Sequence, residues 1–151
     1  MKKKIIIKNQ KGAAIVEFAI VAPLLILLVV GICEFGLLWY NSQVIINASR
    51  EGARSGIVQR TDSAGIPLYS ANEIEADIRT IVHNYSSQRL ITFGSNTPPS
   101  VSVSGENGAF QDLLQVDVVY TYNFLVPSIF GFNTTKTLTG TTVMKMEAII
   151  S

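Results

Sequence analysis

The sequence predicts an α+β protein with a long N-terminal transmembrane helix, an amphipathic helical continuation and a small external domain. Three observations support this: a long apolar run near the N-terminus, a helix-capping motif in the middle of the chain, and alternation of apolar and polar residues in the last third. We expect the external domain to contain one helix packed on a roughly three-stranded antiparallel sheet. With 151 residues the chain is long enough for one membrane segment and one such domain.

The apolar run from Ala13 to Cys33 contains 21 residues, only one of which is charged. As a helix it would be about 31 Å long, the thickness of a hydrocarbon core. A cleaved secretory signal has a shorter apolar core and small residues at its exit, which this run lacks. Pro23 is tolerated in a membrane helix, and Trp39 and Tyr40 follow where an interfacial aromatic belt would lie. The run therefore predicts a single membrane span.

The charges are distributed unevenly along the chain. Residues 1–12 carry five lysines and no acid, whereas residues 13–151 carry seven basic and all eleven acidic residues. Basic residues before an apolar run favour a cytoplasmic N-terminus, and a nucleic-acid surface would instead spread them over the folded domain. We expect a single-pass protein of the cytoplasmic membrane, with the C-terminal domain outside (periplasmic or extracellular), in contact with the lipid bilayer and with no nucleic acid.

A ladder of small residues lies beyond the span, where the helical pattern continues to Val58. Ala48, Gly52 and Gly56 recur at intervals of four, which lets another backbone approach closely. Two interpretations are open for this face. It packs either against the chain's own domain or against a helix of another subunit.

The external domain shows one helix signal followed by strand signals. Ser70 and Glu73 have the spacing of a capping box, and an apolar helical face follows to about Ser86. From Pro99 the period changes to two, most clearly in residues 114–124, and residues 138–148 continue this pattern in a final strand. Residues 105–108 supply turn chemistry between strands.

No residue pattern indicates catalysis. Cys33 is the only cysteine, so an intrachain disulfide and a cysteine metal cluster are excluded; lipid attachment there is disfavoured by the isoleucine before it. His83 is the only histidine and has no nucleophile motif beside it. Glu73, Glu75 and Asp77 point in divergent directions on a helix, which favours a solvated first turn over a metal site. We expect no enzyme activity, no catalytic or metal-binding residue and no cofactor.

The N-terminal residues resemble two related sequence patterns. Residues 12–18 (GAAIVEF) resemble a type IV prepilin processing site, with a basic leader that ends in glycine and a glutamate five residues after the cut. A longer series, from Gly12 to Arg54, resembles the TadE-like family, which comprises pseudopilins of the tight-adherence (Flp pilus) assembly system. The series is Gly12, Val16-Glu17-Phe18-Ala19, Pro23-Leu24-Leu25, Gly31, Glu34-Phe35-Gly36, Tyr40 and Arg50-Glu51-Gly52-Ala53-Arg54.

The resemblance implies roles for several of these residues. A prepilin peptidase would cut between Gly12 and Ala13, and Glu17 with Phe18 would serve subunit pairing or processing. In pairing, Glu17 would offset the charged α-amine of a neighbour's Ala13, because an unpaired charge in a low dielectric is costly. The alternative is a carboxylate that reaches the headgroups or only marks the cleavage site. Glu34 is expected to be a solvated acid at the far edge of the span.

The resemblance also divides the chain and implies its partners. Residues 1–12 would be the leader peptide, 13–58 the transmembrane and extended helix, 59–70 a linker and 71–151 the external domain. The implied function is that of a pseudopilin or minor pilin, with prepilin peptidase, other pilin or pseudopilin subunits and pilus-assembly membrane proteins as partners. The alternative is an uncleaved single-pass anchor for an external binding domain.

One apolar segment in the external domain has two interpretations. Residues 125–132 (LVPSIFGF) connect the two longest strands and contain Ile129, Phe130 and Phe132. These side chains either cap the open end of a small sheet core or form an exposed patch that docks a partner subunit or the membrane surface. Capping is favoured, because a small domain lacks core and each buried large side chain adds about 1.5–3 kcal/mol.

Overall fold

The computed structural model describes residues 10–61, 70–92, 97–105, 113–132, 134–145 and 147–150. The helices in these residues are α1 (Gln10–Gly56), α2 (Ala71–Ser87) and α3 (Leu125–Ile129). The strands are β1 (Val58–Thr61), β2 (Ser100–Ser104), β3 (Leu113–Asn123), β4 (Thr135–Lys145) and β5 (Glu147–Ile150). The predicted α+β class is confirmed.

Helix α1 runs without interruption through both the apolar run and the globular part of the protein. Its 47 residues give a length of about 70 Å. Side chains are exposed over most of residues 12–33. Glu34 is buried, and from Asn41 onward buried residues recur every three or four positions as far as Gly56. The first half therefore protrudes from the domain and the second half is part of its core.

The main sheet has three antiparallel strands in the order β2-β3-β4. Its central strand, β3, buries the side chains at alternate positions from Leu114 to Tyr122, as the period of two predicts. A second, parallel pair joins β1 to β5, with Val58 opposite Glu147. Residues 59–61 of the predicted linker therefore belong to a strand, and residues 62–69 lie outside the described part. The predicted final strand is divided into β4 and β5.

The sheet is covered by α1 rather than by α2 alone. The second half of α1 packs on β3 and β4, and α2 packs mainly against α1. This differs from the predicted single helix over the sheet. Gly140 on β4 explains how closely α1 approaches, because a Cβ atom there would lie 2.7 Å from the carbonyl oxygen of Ile45. The shared core of helices and sheet includes Ile45, Ile78 and Tyr122.

One predicted local signal, the capping box, lies wholly within the described residues, and the predicted turn lies there in part. Helix α2 begins with the predicted capping box: Ser70 N–H donates to Glu73 Oε2 at 2.8 Å, and Glu73 N–H donates to Ser70 Oγ at 3.4 Å. At the predicted turn after β2, Gly105 has a φ of +84°, where a Cβ atom would clash with the carbonyl oxygen of Leu113. Residues 106–108 of the predicted turn lie outside the described part.

Candidate functional site

The first half of α1 exposes apolar side chains on all sides. Exposed residues there include Ile15, Phe18, Ile20, Leu24, Leu25, Ile26 and Leu28. A helix that is apolar all round needs an apolar environment on every side, and monomeric soluble proteins rarely expose so large an apolar surface. Within the described residues, α1 is the one helix long and apolar enough to cross a membrane. It fits a single-pass membrane anchor.

The predicted cleavage and pairing residues lie together at the start of this exposed segment. Gly12 and Ala13 are exposed in the first turn of α1, and a Cβ atom at Gly12 would have no other atom within 4 Å. Glu17 lies about one turn further on and is exposed, and Phe18 beside it is 72% exposed. Among the described residues, none forms a hydrogen bond or ion pair with Glu17. This end of the helix is therefore accessible to a second molecule.

The ladder of small residues is occupied by the chain's own domain. Ala48 is fully buried. A Cβ atom at Gly52 would lie 2.7 Å from Val82 Cγ2, and one at Gly56 would lie 2.5 Å from Ile78 Cδ1. The small residues thus let α2 approach α1 within one chain. The sequence leaves open whether this face packs against the chain's own domain or against another subunit. In the structure it packs against the chain's own domain.

Glu34 is the functional residue that the sequence analysis misjudged. It is only 6% exposed, so the prediction of a solvated acid is wrong. Its carboxylate accepts hydrogen bonds from the backbone N–H groups of Leu125 and Val126, the first two residues of α3. The first N–H groups of a helix have no partner within the helix and carry partial positive charge, so a carboxylate stabilises them. Glu34 therefore attaches α3 to α1.

Backbone groups at both ends of α3 form hydrogen bonds within the protein. Its third residue is Pro127, which has no N–H group to satisfy. At the other end Phe132 N–H donates to Pro127 O and Gly131 N–H donates to Ser128 O, both at 3.0 Å. Gly131 has a φ of +82°. This is a Schellman motif, in which a glycine in the left-handed conformation ends the helix.

The apolar segment Leu125–Phe132, here called the α3 loop, lies against the exposed half of α1. Ile129, Phe130 and Phe132 are 70%, 61% and 65% exposed. The interpretation that they cap the sheet core is therefore wrong. The loop and α1 enclose a groove of about 340 Å³. It is lined by Pro23, Ile26, Leu27, Val30, Val126, Ile129 and Phe130.

Most of the sequence of α1 matches a known protein family. Residues 12–54 match the family model described as TadE-like protein. This confirms the resemblance found in the sequence and relates the chain to membrane proteins of Tad (Flp) pilus systems. No curated protein and no solved structure matches the chain.

The TadE-like segment uses buried polar side chains to hold the rest of the chain. Besides Glu34, Asn41 is fully buried; its amide donates to Ile91 O at 2.7 Å and accepts from Ile91 N–H at 3.0 Å. Ser49 Oγ and Thr142 Oγ1 are hydrogen-bonded at 2.7 Å. Each partner lies outside residues 12–54. The sequence does not reveal the roles of Asn41 and Ser49, because polar residues in an amphipathic helix usually indicate its solvated face.

Tyr122 connects the sheet core to the junction at Glu34. Burial raises the pKa of its phenol, and the negative charge of the nearby Glu34 carboxylate, together with that of Tyr120 when it ionises, raises it further. Its hydroxyl oxygen is buried and has no hydrogen-bond partner in the described part of the chain. The ring packs edge-on against Phe124, the residue before α3, with centroids 5.3 Å apart. The core of the domain therefore continues up to the start of the α3 loop.

Two of the three acids considered for a metal site have partners in α2 or at its N-cap. Glu73 belongs to the capping box, and its hydrogen bonds from Ser70 lower the pKa of its carboxyl. Glu75 forms an ion pair with Arg79, whose guanidinium also donates to Val101 O on β2. Within the described residues no group of three His, Cys, Asp or Glu side chains is placed to hold a metal ion.

Proposed function

We propose that this chain is a non-enzymatic pseudopilin or minor pilin of the cytoplasmic membrane. It assists assembly of a Tad (Flp) type IV adhesive pilus, or of the related secretion machinery, after prepilin peptidase removes residues 1–12. Its N-terminus is cytoplasmic and its domain lies outside. The observation that carries the proposal is the exposed apolar half of α1, with Glu17 accessible near its start. The match of residues 12–54 to the TadE-like family supports it.

The geometry of α1 supports an association function. An exposed apolar helix surface is solvated by lipid in the membrane, and the same surface is available to helices of other subunits. Cleavage after Gly12 would place a charged α-amine on Ala13, about one helical turn before Glu17. A neighbour's Glu17 would then neutralise this amine in a poorly hydrated environment, where an unpaired charge costs several kcal/mol. The chain would act by such pairing and not by turnover.

N-terminal sequencing of the protein extracted from host membranes tests processing. We expect Ala13 as the first residue in the host and Met1 in a strain without prepilin peptidase. Gly12→Ser should leave the leader attached, because a peptidase must fit the residue before the cut. Gly36→Ser is the matched control, since a Cβ atom at either glycine has open space around it. Met1 in the unmodified host would instead support an uncleaved anchor for an external binding domain.

Co-purification with pilus-assembly membrane proteins tests the role of Glu17. Glu17→Ala should still be cleaved and inserted, but it should lose association with the other pilin or pseudopilin subunits. Glu51→Ala is the control, because Glu51 lies on the same helix and pairs only with the exposed Arg54 among the described residues. Normal pilus formation by the Glu17→Ala strain would contradict the pairing role.

A further inference from the structure

The α3 loop lies at the level of the membrane-spanning residues rather than beyond them. The groove is lined on one side by α1 residues between Pro23 and Val30 and on the other by the α3 loop. Pro23 precedes Glu34 by 11 residues, which corresponds to about 16 Å along a helix. If the 21 residues up to Cys33 span a hydrocarbon core of about 30 Å, the groove begins near its middle.

The α3 loop has the composition that such a position requires. None of its eight residues is charged. Its large side chains at Ile129, Phe130 and Phe132 are turned away from the sheet core and are exposed. Exposed clusters of this kind are unfavourable in water and mark contact with an apolar partner. The surface of Ile129 and Phe130 is continuous with the exposed apolar surface of α1, because these two residues and α1 line the same groove.

The backbone of the α3 loop also meets the requirement of a lipid environment. A polypeptide at membrane depth must pair its own N–H and C=O groups, since there is no water to do so. Glu34 accepts hydrogen bonds from the free N–H groups at the start of α3, and Pro127 has no N–H group that would need a partner. The Schellman motif pairs backbone groups at the end of α3. An ordinary surface loop does not need this, because water satisfies its backbone groups. The buried position of Glu34 has its explanation here.

We propose that the α3 loop enters the membrane leaflet nearest the domain, and that lipid acyl chains occupy the groove between it and α1. The chain then contacts the bilayer at two points, the span and the loop, so that the depth and rotation of the domain relative to the membrane are fixed. The polar end of β4 adjoins the loop and carries the exposed Lys136, which is placed to reach the headgroups. This inference depends on membrane insertion and not on a pilus role.

Tryptophan fluorescence in lipid vesicles tests this position. Full-length protein carrying Trp39→Phe, which removes the only tryptophan, is reconstituted into phosphatidylcholine vesicles with or without bromine on the acyl chains. In this background Phe130→Trp should give blue-shifted emission that brominated chains quench. Leu113→Trp is the matched control: both native residues are 61% exposed, and Leu113 lies at the other end of β3, about 34 Å from Asn123. Leu24→Trp, within the span, supplies the fully quenched reference.

The outcomes separate the possible occupants of the groove. Quenching of the tryptophan at position 130 close to that at position 24, at every ratio of protein to lipid, supports the proposal. Emission like that of Leu113→Trp overturns it, because the loop would then be in water. Blue-shifted emission without quenching also overturns it, because protein, such as a second copy, would cover the loop. Ile129→Trp repeats the measurement in case Phe130→Trp does not fold. The vesicles contain no pilus protein, so the result is independent of the proposed function.

Discussion

Glu34 and Val126 lie 92 residues apart in the chain, and yet both carboxylate oxygens of Glu34 accept the N–H group of Val126, at 3.3 and 3.1 Å. Glu34→Ala removes the acceptor and leaves the first N–H groups of α3 unpaired. Hydrogen bonds to charged groups contribute about 1.5–3 kcal/mol each. We expect faster amide hydrogen exchange at Leu125 and Val126 and a lower melting temperature of the full-length protein in detergent.

Two further variants make this prediction specific. Glu34→Gln keeps one carbonyl acceptor and should give a smaller effect than Glu34→Ala. Glu51→Ala removes a partly exposed carboxylate from the same helix and should change the melting temperature little, because exposed ion pairs contribute about 0–1 kcal/mol. Unchanged exchange at residues 125 and 126 in Glu34→Ala would show that the carboxylate does not hold α3.

The second prediction concerns close packing at Gly56. A Cβ atom there would lie 2.5 Å from Ile78 Cδ1 and 2.6 Å from Leu114 Cδ2, so Gly56→Ala forces both side chains to move. Overpacking of this kind costs about 1–3 kcal/mol, and thermal unfolding in detergent should show a decrease of several degrees. Gly36→Ala is the control, because its Cβ atom meets nothing within 4 Å. An unchanged melting temperature combined with lost subunit association would assign this face to a partner instead.

The third prediction concerns the buried amide of Asn41. Asn41→Ala leaves both backbone groups of Ile91 without their side-chain partner. A typical hydrogen bond within a protein contributes about 0.5–1.5 kcal/mol, so the loss of two should lower the free energy of unfolding, and the amide of Ile91 should exchange faster. Asn47→Ala, at an exposed position of the same helix, should have little effect. Equal effects of the two substitutions would contradict the role assigned to Asn41.

The fourth prediction concerns pH and the capping box of α2. Hydrogen bonds from Ser70 lower the pKa of Glu73 below its ordinary value of 4.5. A lowered folded pKa means that the stabilisation is present above the unfolded pKa and is lost as the pH falls through the folded value. Between neutral pH and about pH 3 the wild type should therefore lose more stability than Glu73→Gln. Asp77→Asn, at an exposed position of the same helix, is the control for general charge effects.

The elements that the sequence predicted best are those whose signals are local. The capping box of α2 depends on two residues three positions apart, and the alternation in β3 reports a single buried face. The apolar run likewise indicates one exposed helix. Each of these signals is complete within a short window of sequence, so no knowledge of distant contacts is needed.

The features that the sequence did not reveal depend on distant partners. Glu34 and Asn41 resemble solvated residues in the sequence, because their partners lie 91 and 50 positions away. Strand β1 has four residues and forms only through pairing with β5. For the α3 loop the sequence leaves two interpretations open and favours capping of the sheet core, because a small domain needs buried aromatic residues. The sequence did not reveal that α1 would supply a neighbouring apolar surface.

The continuity of α1 has a mechanical consequence. In a chain with a flexible linker between anchor and domain, a force on the anchor would first extend the linker and would reach the domain only weakly. Here a force on the apolar half of α1 is transmitted along one continuous helix into the centre of the domain. There α2, β3 and β4 all contact the second half of α1. The load is thus shared by many contacts in shear, and a twist of the anchor turns the whole domain with it.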